Sequence, residues 1–117
     1  MPLVIVTTPE TRFPDATLRD IAELLIDRVA RTLTCDDPGG QLAPSDIEVR
    51  FDTRSSLDLG GERYDFEVIV FANDFPSRRQ NLDERCAVLR DALRARLTPD
   101  LHGYVWIRLA PAAFAEF

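Results

Sequence analysis

Residues 3–8, LVIVTT, are apolar and β-branched on both faces, which predicts a strand covered on both sides close to the chain start. After the loop PETRFP, Leu18, Ile21, Ala22, Leu25, Val29 and Leu33 recur at helical spacing. With Asp15 placed to cap, they predict a helix over 15–33. Residues 34–46, TCDDPGGQLAPSD, mix Pro, Gly and Asp and read as a solvated loop. Ile47, Val49 and Phe51 then alternate with Glu48, Arg50 and Asp52, the period of a strand with one apolar and one polar face. The order now repeats. Residues 54–63, with Gly60-Gly61, make a turn or hairpin, and DFEVIVF (65–71) is an apolar strand. Ser77-Arg-Arg-Gln80 has the spacing of a capping box, and Leu82, Cys86, Leu89, Leu93 and Leu97 form a helical stripe closed by Thr98-Pro99. Finally YVWIRL (104–109) sets Val105, Ile107 and Leu109 against Tyr104, Trp106 and Arg108.

The pattern is βαβ–βαβ, one unit over 1–52 and a second over 53–117 of a single domain. Right-handed crossovers of the same sense put both helices on one side, so an α+β fold is expected: a four-stranded mixed sheet with two helices on one face. The other face has no internal cover, yet it would carry Leu3 or Val4, Trp106 and part of the third strand. That is more apolar surface than a free monomer exposes, and it predicts oligomerisation. A ferredoxin-like monomer has the same element order but leaves a more polar sheet face in water.

Composition narrows the chemistry. The net charge is −6 and the fourteen basic residues are scattered among twenty acidic ones, so a phosphate backbone finds no basic track and nucleic-acid binding is not expected. No apolar run approaches the roughly 20 residues that span a bilayer, and MPLVIVTT lacks the basic start of a secretory signal; a soluble, cytoplasmic protein is expected. There is no lysine, and arginine is neither an amine nucleophile nor a base. The one amine that titrates near neutrality is therefore the chain terminus, with a reference pKa of about 8. His102 is the sole histidine, and Cys35 and Cys86 fit no C-x-x-C pattern, so neither a metal site nor a cofactor is expected and both thiols read as reduced and buried.

The Met1-Pro2 start followed at once by a buried strand, the doubled βαβ order and the length together resemble the tautomerase superfamily. The resemblance implies a homotrimer, removal of Met1, and Pro2 as the catalytic group. A neutral secondary amine would take a proton from an enol or an acidic carbon of a small anionic substrate and return it at another carbon. Without that chemistry, Pro2 merely protects the terminus. Arg12 stands ten residues after Pro2, the offset at which oxalocrotonate tautomerase carries a substrate-binding arginine; its other role is a surface charge beside Glu10. Trp106 and Arg108 fall where macrophage migration inhibitory factor and the cis-chloroacrylic acid dehalogenase place pocket residues donated by a neighbouring subunit. Alternatively Trp106 packs an interface and Arg108 pairs with Glu48 or Glu116. Glu116 loosely matches a water-activating glutamate of the dehalogenase tail, though matching it requires a gap.

The departures from the family matter equally. Where oxalocrotonate tautomerase has a second arginine, this chain has Glu48, with Arg50 two residues on and pointing the same way. Dehalogenases and the decarboxylase of the family carry an arginine pair just before the second helix; here Arg78-Arg79 follows Ser77 instead. Either Arg78 or Arg79 enters the pocket, or hydrolytic chemistry is absent. The expected activity is keto-enol tautomerisation of a small carboxylate-bearing substrate. Alternatives are a hydratase, dehalogenase or decarboxylase using Glu48 or Glu116, and a non-catalytic oligomeric domain.

Overall fold

In β1 (Leu3–Pro9) alternate residues point to opposite faces, and the computed structural model, which describes residues 2–117, buries only one of those faces. From β1 the chain runs through α1 (Asp15–Leu33) to β2 (Glu48–Arg54), then to β3 (Phe66–Asn73), the single turn α2 (Pro76–Arg79), α3 (Leu82–Arg96) and β4 (Gly103–Ala110). The sheet order is β2-β1-β3-β4, with β1 parallel to β2 and antiparallel to β3, and β3 parallel to β4. This is the expected α+β mixed sheet. Residues 55–65 are not a hairpin, because β1 lies between β2 and β3 and the connection must cross the end of β1.

Val4, Val6, Val68, Val70 and Ile107 meet Ile21, Leu25, Val29 and Leu33 of α1 and Leu89 and Leu93 of α3 in one core. Each fully buried side chain of this kind contributes about 1.5–3 kcal/mol of transfer free energy. On the opposite face Leu3, Ile5, Ile69 and Phe71 are only partly buried, and Trp106 is 53% exposed. The double cover expected for β1 is thus present on one side of a single chain. Val49 and Phe51 do face the helices, but β2 is an edge strand, which leaves Phe51 exposed. Cys35 is buried and Cys86 partly buried, both unbridged.

Two expected caps are replaced. Pro14 precedes α1, and its carbonyl accepts the first N–H bonds; Asp15 lies in the first turn and makes no capping bond. Ser77 does not cap either. Its N–H and Oγ–H both donate to Asp37 Oδ2, at 3.0 and 2.7 Å, tying the 34–46 loop to the β3–α3 connection. Pro76 opens α2 and the longer helix begins only at Leu82.

That tie flanks Arg78, the one fully buried cation among the described residues, at 1% exposure. Its guanidinium donates to the carbonyls of Leu33 (2.7 Å), Asn73 (2.9 Å) and Gly40 (3.1 Å) and lies 5.1 Å from the Phe75 ring. Arg85 donates to Thr32 and Thr34 carbonyls at 2.6 and 2.8 Å. Both cations therefore sit at the C-terminus of α1, where carbonyls lack intrahelical partners and the helix dipole is negative. Gly40 has no room for a side chain, since a Cβ would strike Cys35 Sγ. Arg79 is exposed and paired with Asp74 at 2.8 Å. Arg78 is thus held within the fold by backbone carbonyls, and Arg79 stands at the surface paired with Asp74.

Replacing Arg78 by Met strands three carbonyls away from water, so chemical denaturation should show a loss of about 2–4 kcal/mol. Lysine should restore only part of it, because an ammonium cannot span acceptors that a planar fork reaches. The Asp37 carboxyl is held below the usual carboxylate range by the Ser77 hydroxyl first, then by the Ser77 N–H, with a smaller contribution from the Arg78 charge. A lowered folded-state pKa stabilises above the unfolded value and is lost as pH falls through the folded one. Asp37→Asn should therefore be less stable than the parent at neutral pH, with the gap closing below about pH 4.

Candidate active site

Strand register fixes what surrounds Pro2. The residue is buried immediately before β1, and its carbonyl accepts the Glu48 N–H at 3.2 Å. On the face away from the helices, the row nearest Pro2 reads Glu48, Leu3, Phe71, Arg108 across the four strands. The next row reads Arg50, Ile5, Ile69, Trp106, and the third Asp52, Thr7, Glu67, Tyr104. An apolar centre is thus flanked by charges at both sheet edges.

Arg108 is exposed, with its guanidinium carbon 4.9 Å from the Trp106 ring centroid and 5.8 Å from that of Phe71. It forms no salt bridge among the described residues, so the alternative pairing with Glu48 or Glu116 is not made. Glu48 instead accepts from Arg50 Nε at 2.9 Å. Arg12 lies at the far end of β1, where it approaches Asp65 at 3.6 Å rather than Glu10. Seven residues of strand separate it from Pro2, about 20 Å at the usual rise. Glu116 is exposed on the irregular segment after β4. One chain therefore groups Glu48, Arg50, Trp106 and Arg108 on the open face toward the end where Pro2 lies, with Pro2 itself buried in phase with Val4 and Val6, and leaves Arg12 and Glu116 outside.

Two contributors were not anticipated. Phe71 completes the aromatic shelf under Arg108; strand alternation carries that information only once the β3–β4 register is known. Arg54 reaches across β1 to the Glu67 carboxylate and the Gly61 carbonyl, while the Tyr104 hydroxyl donates to Glu67 at 3.3 Å. Burial first, and the Glu67 charge second, push the Tyr104 hydroxyl above its ordinary pKa. This polar band closes the face at the end away from Pro2. An apolar cavity of about 60 Å³ lined by Phe66, Val68, Leu93, Leu97, Leu101 and Val105 also lies at that far end, beneath α3. Among the described residues no cluster of His, Cys, Asp or Glu could hold a metal ion, and no helix is long and apolar enough to cross a membrane.

No family model matches the sequence, and no curated protein matches it. Solved structures do. A fused 4-OT wild-type asymmetric trimer superposes with a TM-score of 0.65 at 13% identity, covering 93% of this chain and 86% of that one. Pt0534, solved after inactivation by 2-oxo-3-pentynoate, gives 0.61 at 11% identity over 93% and 85% of the two chains. N1, a member of the cis-3-chloroacrylic acid dehalogenase family, gives 0.56 at 15% identity over 93% and 75%. The chain shares the fold of these structures, and at these identities the likeness is one of fold alone.

Proposed function

We propose that the chain is a tautomerase or isomerase with Pro2 as general base and acid. The observation that carries this reading is the placement of Pro2, buried at the head of β1 at the end of the sheet where Arg108 stands without a carboxylate partner among the described residues. Met1 lies outside the described residues; its removal would make the Pro2 nitrogen a secondary amine in a chain without lysine. Burial disfavours the charged form of an amine, which suits a proton acceptor near neutral pH. The nitrogen takes the enol O–H proton, electron density shifts through the enol to carbon, and the same N–H returns the proton there. Substrate and product are isomers, and no water is consumed. Arg108 grips the carboxylate while Trp106 and Phe71 flank the carbon skeleton.

Glu48 is the acid nearest Pro2 in the register, but its pairing with Arg50 occupies the carboxylate that water activation would need. Glu116 stands on an exposed tail. Hydration, dehalogenation and decarboxylation are therefore less well supported than tautomerisation. We further propose a homotrimer assembled through the open sheet face, in line with the fused 4-OT trimers of the same fold. In such an assembly Arg12 would serve the Pro2 of another copy, since it is out of reach of its own.

Untagged protein should lack Met1 by intact mass and should ketonise the enol of phenylpyruvate. Pro2→Ala should lower kcat/KM about 100-fold or more, in the range of lost general-base catalysis. Retention of Met1, or activity indifferent to the substitution, would sink the reading. Ile69→Asp should convert the trimer to a smaller species in sedimentation; an unchanged mass would place the interface elsewhere.

A further inference from the structure

We infer that Thr11 is a positioning residue: it holds the β1–α1 turn in one strained shape, so that Arg12 is aimed outward from the end of the sheet at substrate bound to a neighbouring copy. The inference rests on the reading of Arg12 as a cation that serves another copy's site. Among the described residues the backbone enters the left-handed region at three positions, Gly39 (φ 78°), Gly60 (φ 95°) and Thr11 (φ 56°). Two of these are glycines, for which the region carries no steric cost. The third is β-branched, and there its Cβ crowds the adjoining backbone.

Strain of this kind persists only where the surroundings impose it. On one side the turn closes on β1, since the Arg12 N–H donates to the Pro9 carbonyl at 3.3 Å. On the other it is pinned by Phe13, whose ring stacks on Phe66 of β3 with centroids 4.5 Å apart. Thr11 itself is exposed, and its hydroxyl makes no hydrogen bond among the described residues. Neither packing nor hydrogen bonding therefore calls for threonine, and glycine would close the same turn with less strain. What threonine adds is stiffness, because at positive φ it is confined to one small island of conformations over which glycine ranges widely.

Arg12 shows what that stiffness serves. Its side chain is about half exposed, with the guanidinium carbon 5.1 Å from the Phe13 ring centroid and Nε 3.6 Å from Asp65 Oδ1, longer than a hydrogen bond. Arg78, Arg79 and Arg85, which serve the fold, each donate at 2.8 Å or shorter. Asp100 also lies near; its carboxyl is held low chiefly by the Thr98 hydroxyl, and the Arg12 charge is a lesser influence. Arg12 is thus guided by an aromatic ring and two acids without being locked to them. Its heading is set by the turn behind it, and its donors still face outward.

The test is a cycle of Thr11→Gly, Arg12→Gln and the double variant, read by thermal unfolding and by steady-state kinetics on the enol of phenylpyruvate. Thr11→Gly should raise the melting temperature by about 2–5 °C as strain is relieved. The same change should raise KM about 3- to 10-fold with kcat little altered, the effect of ordering one loosened side chain on binding. Greater stability joined to weaker binding is a result that a merely structural residue does not give. Thr11→Asn keeps a Cβ and tolerates the left-handed region, so it should gain stability and retain the wild-type KM. In the double variant the Thr11→Gly penalty on KM should vanish, because Arg12 carries it. A melting temperature lowered by Thr11→Gly, a KM it leaves unmoved, or a penalty that persists without Arg12 overturns the inference and leaves the Arg12 reading standing. A KM unmoved by Arg12→Gln overturns both. Should the enol not react, the dissociation constant of cinnamate by titration calorimetry replaces KM in the same cycle, and absent binding overturns both.

Discussion

The guanidinium of Arg78 bonds three parts of the chain to one another, alongside the Ser77–Asp37 tie. Leu33 ends α1, Gly40 lies within the 34–46 loop and Asn73 ends β3, and one planar group bonds to a carbonyl of each. Burying a charge is costly unless its donors are matched, and here that match is made by backbone oxygens rather than by a carboxylate. The acceptors at Leu33 and Asn73 are indifferent to side-chain identity, Gly40 is not, and together they fix the loop geometry that borders the Pro2 end. The negative end of the α1 dipole adds to the same effect, with Arg85 on the neighbouring carbonyls.

With one end of the sheet set in this way, the two faces diverge in purpose. The helix face is closed by aliphatic packing and leaves no chemistry exposed. On the open face, apolar rows run between charged edges, which is the composition of an interface core with a polar rim. The Arg54–Glu67–Tyr104 band at one end and the Glu48–Arg50 pair on one edge give that surface a directional charge pattern. A partner sheet laid on it has few registers in which every charge is answered.

Periodicity in the sequence made the element order and the two helix stripes legible, because a 3.6-residue stripe at Leu18 to Leu33 and an alternation at Val105 to Leu109 admit few other readings. Strand pairing was less legible: local pattern does not say that β1 separates β2 from β3, and the hairpin reading failed for that reason. The capping-box spacing at Ser77 misled because a hydroxyl takes the best acceptor available, and Asp37, forty residues away, outcompeted the local amides. Arg78 was unreadable for a related cause, since its acceptors are backbone atoms at residues 33, 40 and 73. The common face of Glu48, Arg50, Trp106 and Arg108 was legible because alternation alone assigns a face; the separation of Arg12 from them needed the length of β1.

The doubled βαβ order makes the sheet nearly two-fold symmetric, and because Val4 and Val68 are buried in the same phase, the position related to Pro2 is Phe66, the first residue of β3. There the nitrogen is a peptide amide that donates to the His102 carbonyl at 3.2 Å. An amide of that kind neither accepts a proton nor titrates. The frame thus contains two geometrically related seats per chain, and only one of them can present a free amine. A continuous sheet within one polypeptide leaves its second half without a chain start, and that seat is filled by the Phe66 ring, stacked on Phe13 with centroids 4.5 Å apart.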